Sequence, residues 1–165
     1  MKSSIIYRAS SERDHEAMVD FVYELRDDLQ INDRAVAEQI VQLVANHGGA
    51  FIGTLNGRVI SCMGYFFGDP ANDFAQKDLC FIYVAGITEE YRCSRVFLDA
   101  YRFAMSELSQ FEFREVRCQA GMDNPYTNRI YSRLFKLHGT TVNRRGIPVN
   151  QYRLPFTEAV ERLAA

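Results

Sequence analysis

Tryptophan is missing from this sequence, and proline, cysteine and histidine are scarce, with four, four and three residues among 165. The cysteines (Cys62, Cys80, Cys93, Cys118) lie far apart and lack the close pairing of a metal site. They are expected to be reduced, buried thiols. His15, His47 and His138 are not spaced as ligands either, and His138 is expected near a helix C-terminus, where a cation is favourable. Charge of one sign is absent: 19 basic against 21 acidic residues give a net charge of −2. With no basic block, the chain advertises no nucleic-acid-binding face. There is no long apolar run, so neither a signal peptide nor a membrane span is expected, and the expected location is the cytoplasm. Repeats and low-complexity segments are missing as well. What remains is ordinary globular material, 47% hydrophobic and 24% charged, and long enough for one domain over residues 1–165.

Hydropathy patterning predicts an α/β chain. Residues 4–9 read as a short strand. Ser11, with Asp14 as capping partner, opens a helix that carries Met18, Phe21, Val22 and Leu25 to about Leu29. Asn32 or Asp33 starts a second helix, with Val36, Ile40, Leu43 and Val44 on one face, and His47-Gly48-Gly49 ends it. Two apolar strands flank Asn56-Gly57, the dipeptide of a type I′ hairpin turn. Residues 68–73 form a loop, and 79–87 a strand buried on both faces. An amphipathic helix follows from about Cys93 to Leu108, then a strand over 115–120. Asn128 opens the next helix and Gly139 stops it. A hairpin around residues 144–148 and a helical tail from Phe156 complete the order β-α-α-β-β-β-α-β-α-β-β, with a mixed sheet. Phe66-Phe67 and Phe111/Phe113 flank loops, where a contact surface is one reading.

The segment from Asn128 to Gly139 resembles the C-terminal helix of the GCN5-related N-acetyltransferases (GNAT), written N-x-x-A-x-x-x-Y-x-x-x-G-F. The family's Ala is then Tyr131, its Tyr is Phe135 and its Phe is Thr140. An alternative alignment starts at Asn124 and puts Tyr131 at the family's Tyr, but loses the match at Gly139. The resemblance covers residues 4–156 and rests more on order and spacing than on identities.

This resemblance implies a GNAT-like acyl-CoA N-acyltransferase fold, with acetyl-CoA as co-substrate and an amine as acceptor. It implies that strands 79–87 and 115–120 are parallel neighbours that part at their C-terminal ends. The pantetheine arm would pair with the first of them near Ile87. The pyrophosphate would meet amides at the following helix start, where unpaired N–H groups favour an anion. The family's phosphate loop, Q/R-x-x-G-x-G/A, corresponds to Arg92, Cys93, Ser94, Arg95, Val96 and Phe97. Arg92 fits the first position, while Arg95 and Phe97 replace the small residues. Arg95 supplies charge in place of glycine's close approach. Phe97 either fills cofactor space or packs in the core. Asn128 joins the expected cofactor-binding set. Tyr131 is the candidate proton donor. Tyr83, the polar side chain within strand 79–87, is the second catalytic candidate, and the doublet Arg144-Arg145 is expected to be a solvated turn.

Two functional readings follow. One is an N-acetyltransferase acting on a small or protein amine. The other is a GNAT-like module without catalysis, serving in a homo-oligomer or larger assembly such as a virus particle. Residues 26–48 and 68–77, variable in the family, would build the acceptor site.

Overall fold

The computed structural model describes residues 4–92 and 95–164. In chain order the elements are β1 (Ile6–Ala9), α1 (His15–Glu24), α2 (Arg26–Leu29), α3 (Arg34–His47), β2 (Gly48–Leu55), β3 (Arg58–Phe67), β4 (Leu79–Ile87), α4 (Val96–Leu108), β5 (Glu115–Gly121), α5 (Pro125–Leu134), β6 (Lys136–Val142), β7 (Pro148–Pro155) and α6 (Phe156–Ala164). The strands form one mixed sheet in the order β1-β2-β3-β4-β5-β7-β6. The expected mixed α/β architecture is therefore present.

The chain divides into two compact units. The first comprises residues 1–65 and 84–104, the second 66–83 and 105–165. In the first, Asp14 accepts the Ser11 backbone N–H at 2.8 Å, the capping contact expected from their spacing. Asp33 caps α3 by accepting from the Val36 N–H at 3.1 Å. The apolar faces of α1 and α3 pack on one another, burying Val19, Phe21, Val22, Ile40, Val41 and Val44. Asn56 and Gly57 both have positive φ, at 51° and 80°, as the hairpin turn requires. The helix expected to run to Leu29 breaks at Leu25, where ψ swings to 19°. Leu25 is buried, with its Cδ1 only 2.2 Å from where a Cβ on Gly86 would lie. Packing of this side chain onto β4 overrides helix propensity.

In the second unit, β5 pairs antiparallel with β7, and β7 with β6. Phe66 is fully buried, with ring contacts to Phe74 and Tyr83 at centroid distances of 5.1 and 4.6 Å. Phe67 packs on Phe111 and Phe113, and Phe113 on Phe156. Phe66 and Phe113 are buried, whereas Phe67 and Phe111 stay half-exposed. Arg117 is almost covered and bridges Asp69 and Glu115 at 3.1 and 3.0 Å, so each of these shielded charges has a partner.

The largest correction falls on α5. Its N-cap is Asn124, whose side chain accepts from the Thr127 N–H at 3.1 Å, and Pro125 occupies the first turn. The helix ends at Leu134, and Phe135 is already extended. Gly139 lies inside β6, at a register shift between Leu137 and Gly139, and stops no helix. His138 is accordingly an exposed strand residue. β6 is an edge strand with almost every residue exposed, so it never shows the buried–exposed alternation by which a strand is read.

Candidate active site

β4 and β5 are parallel, as expected, and their register runs from Leu79↔Glu115 to Ile82↔Cys118. β4 itself continues to Ile87. Ile87 is buried in a cluster with Ile60 and Val96. Its carbonyl accepts from Arg92 Nε at 3.3 Å, while Thr88 donates its N–H to the Ile60 carbonyl at 2.9 Å. The end of β4 and the turn after it are thus tied to β3 by main-chain bonds.

Arg92 also forms an ion pair with Asp28. Its guanidinium braces the loop between Ile87 and α2, a partnership that sequence spacing gives no means of finding. Cys93 and Ser94, expected to offer amides to a pyrophosphate, lie outside the described residues. Arg95 is exposed, and its carbonyl accepts the Asp99 N–H at 2.9 Å at the start of α4. Val96 is buried in the cluster with Ile87. Phe97 packs against that same cluster and stacks on Tyr101 with centroids 6.0 Å apart. Phe97 is half-buried in this packing. Beside α4 a small cavity of about 20 Å³ is touched by Tyr7, Ser61, Ala85 and Phe97.

Asn128 is one turn inside α5, and its amide is fully engaged by protein. Nδ2 donates to the Gly121 and Asn124 carbonyls, both at 2.8 Å. Oδ1 accepts from Asn150 Nδ2 at 2.9 Å and from the Tyr152 hydroxyl at 2.7 Å. With these four bonds Asn128 joins α5 to β5 and β7. Tyr131 follows on the same helix face and is buried, with edge contacts to Phe135 and Tyr152 at 5.7 Å each. The Asn124 cap favours the alignment that starts there, in which Tyr131 takes the position of the family's tyrosine.

Tyr83 is half-buried, against Phe66. Burial raises its pKa, and the nearby Arg145 and Arg144 only partly oppose this. It therefore remains a protonated hydroxyl at neutral pH, suited to donating a hydrogen bond and unsuited to acting as a base. Arg144 and Arg145 lie in an exposed turn, as expected. Cys62, Cys80 and Cys118 are free and buried, as expected, and burial pushes the Cys62 thiol up to about 12. They are unreactive at neutral pH. Among the described residues, no acid, histidine or cysteine group could hold a metal ion, and no helix is long and apolar enough to cross a membrane.

No family model and no curated protein matches the chain. Solved structures do. The aminoglycoside acetyltransferase AAC(6')-Ib, in complex with coenzyme A and kanamycin, superposes with a TM-score of 0.74 at 16% identity, over 98% of this chain and all (100%) of that one. A protein assigned to the GNAT family of acetyltransferases, from Desulfovibrio desulfuricans, gives 0.70 at 14%, over 93% of this chain and 99% of its own. The diaminobutyrate acetyltransferase EctA of Paenibacillus lautus, in complex with its substrate and coenzyme A, gives 0.69 at 11%, over 94% and 97%. The chain has the fold of the GNAT acetyltransferases.

Proposed function

We propose that this chain is an acetyl-CoA-dependent N-acetyltransferase of the GNAT superfamily, that residues 1–165 act as one such domain, and that it works in the cytoplasm. One observation carries the reading: the likeness to AAC(6')-Ib, which was solved with coenzyme A, spans 98% of the chain. The parallel β4–β5 register, ending at Ile82↔Cys118 while β4 runs on to Ile87, supports it.

The residues present fit the co-substrate. In this reading the main chain of β4 beyond Tyr83 binds the pantetheine arm. First-turn amides of α4, with those of Cys93 and Ser94, receive the pyrophosphate. Arg95 is its ion partner, since its side chain reaches solvent at that helix start. Arg92, held by Asp28 and the Ile87 carbonyl, fixes the loop. When bound, acetyl-CoA supplies an activated acyl group. Tyr83 orients the acceptor amine through its hydroxyl. A base or a water chain takes the amine's proton. Tyr131 delivers a proton to the departing sulfur.

Calorimetric titration with acetyl-CoA tests the phosphate site. Arg95→Glu turns a charge-assisted contact into a repulsion, so affinity should fall by about tenfold or more. Equal affinity in the variant would show that the pyrophosphate binds elsewhere.

A further inference from the structure

The second unit has an open sheet edge with a cationic groove beside it. Among the described residues β6 pairs with β7 alone, and almost all of its side chains are exposed. The register sorts those side chains onto two faces. Lys136 stands opposite Arg153, and Arg153 opposite Arg117 on β5, so three cations form a row across three strands. Like charges directly opposite one another destabilise a sheet unless anions offset them. Leu137, Thr140 and Val142 stand opposite Tyr152, Asn150 and Pro148, on the other face. Leu137 and Val142 are 62% and 61% exposed, so one short strand leaves two large apolar side chains mostly in water.

At the start of β6 lies a groove of about 400 Å³ whose lining includes Arg114, Glu115, Lys136, His138 and Arg153. Its one carboxylate is already shared. Glu115 lies 3.0 Å from Arg117, 3.5 Å from Arg114 and 3.8 Å from Arg153. Asp69 and Asp78 add partners for Arg117 and Arg114, each at 3.1 Å. Arg153 is left with one long contact, and Lys136 with no ion pair among the described residues. The groove therefore carries positive charge that its own fold does not offset.

We propose that this edge docks an acidic peptide segment of a partner protein, added to the sheet as an extended strand beside β6. An added strand takes affinity from main-chain bonds and specificity from alternate side chains. With acidic residues at every second position, the carboxylates share a face with Lys136 and Arg153. The apolar residues between them lie on the face of Leu137 and Val142. A charge on an edge strand deters apolar strands, so Lys136 selects for an acidic one. A second copy of this chain is a poorer occupant, because a two-fold contact sets the cationic patch against itself. Nucleic acid offers anions too, but it makes no use of an open strand edge, and the chain has a net charge of −2 and no basic block. The partner is bound whether or not the chain transfers acetyl groups.

Fluorescence anisotropy with a labelled, end-capped peptide, Glu-Val-Glu-Val-Glu-Val-Glu, tests this at low salt. The same peptide with glutamine for glutamate should bind about tenfold or more weakly, and added salt should narrow the gap. Lys136→Glu should abolish the preference for the acidic peptide, and the milder Lys136→Gln and Arg153→Gln should each reduce it, with folding checked by thermal melts. N-methylation of alternate peptide amides, tried in both phases, should abolish binding in one of them. Equal affinity for the two peptides, or an unchanged preference in all three variants, would overturn carboxylate recognition at this edge. Full binding of both N-methylated peptides would overturn strand addition. Tighter binding of a single-stranded oligonucleotide of equal charge would make the groove a nucleic-acid site instead. Dimerisation in sedimentation that Lys136→Glu abolishes would assign the edge to a second copy.

Discussion

Tyr131 is the residue on which the proposed chemistry turns. Replacing it with phenylalanine removes one hydroxyl and keeps the ring contacts with Phe135 and Tyr152. If Tyr131 protonates the leaving sulfur, kcat should drop by about 10²–10⁴-fold where chemistry limits the rate, with the melting temperature little changed. An unchanged kcat would remove it from the mechanism. Its position was half-legible in the sequence, because two alignments competed and a glycine in a strand imitated a helix stop. Asp14 gives a prediction of a different kind. The Arg8 guanidinium beside it, aided by the Ser11 N–H, holds its carboxyl down at about 2. A depressed pKa means stability that is present above roughly pH 4 and lost as pH falls through about 2. Arg8→Leu should therefore cost on the order of 1 kcal/mol at neutral pH, given how exposed Arg8 is. The gap between variant and wild type in denaturant melts should close as pH approaches 2; a gap independent of pH would argue for lost packing instead.

Between elements, Gly64 marks a close approach. A Cβ there would lie 2.8 Å from Val84 Cγ1 and 2.9 Å from Val44 Cγ2, both on stiff β-branched side chains. Gly64→Ala should cost about 1–3 kcal/mol, or several degrees of melting temperature. A neutral substitution would mean that α3 can move away from the sheet at little cost. Elements with a strong local signal are legible in the sequence: Asn56-Gly57 specifies its hairpin, and the apolar run of β4 its burial. Those governed by distant partners were not. The break at Leu25 depends on Gly86, far along the chain, and β6 has no buried face to betray it.

For the whole molecule, the order of strands and helices carried the fold, and an amphipathic pattern is enough to read that order. The site was less legible. Arg92 pairs with Asp28, and Asn128 joins α5 to β5 and β7, partnerships that no motif position records. Motif spacing records which residues are present, whereas partnership across loops depends on folding. Binding of acetyl-CoA to the native state tests the central claim most directly. A ligand held only by the folded protein stabilises it by mass action, by about 2.7 kcal/mol at a hundred times Kd. Thermal melts should therefore rise by roughly 5–10 °C in saturating acetyl-CoA, and by clearly less in Arg95→Glu at the same concentration. A melting temperature that stays the same in millimolar acetyl-CoA would contradict the account.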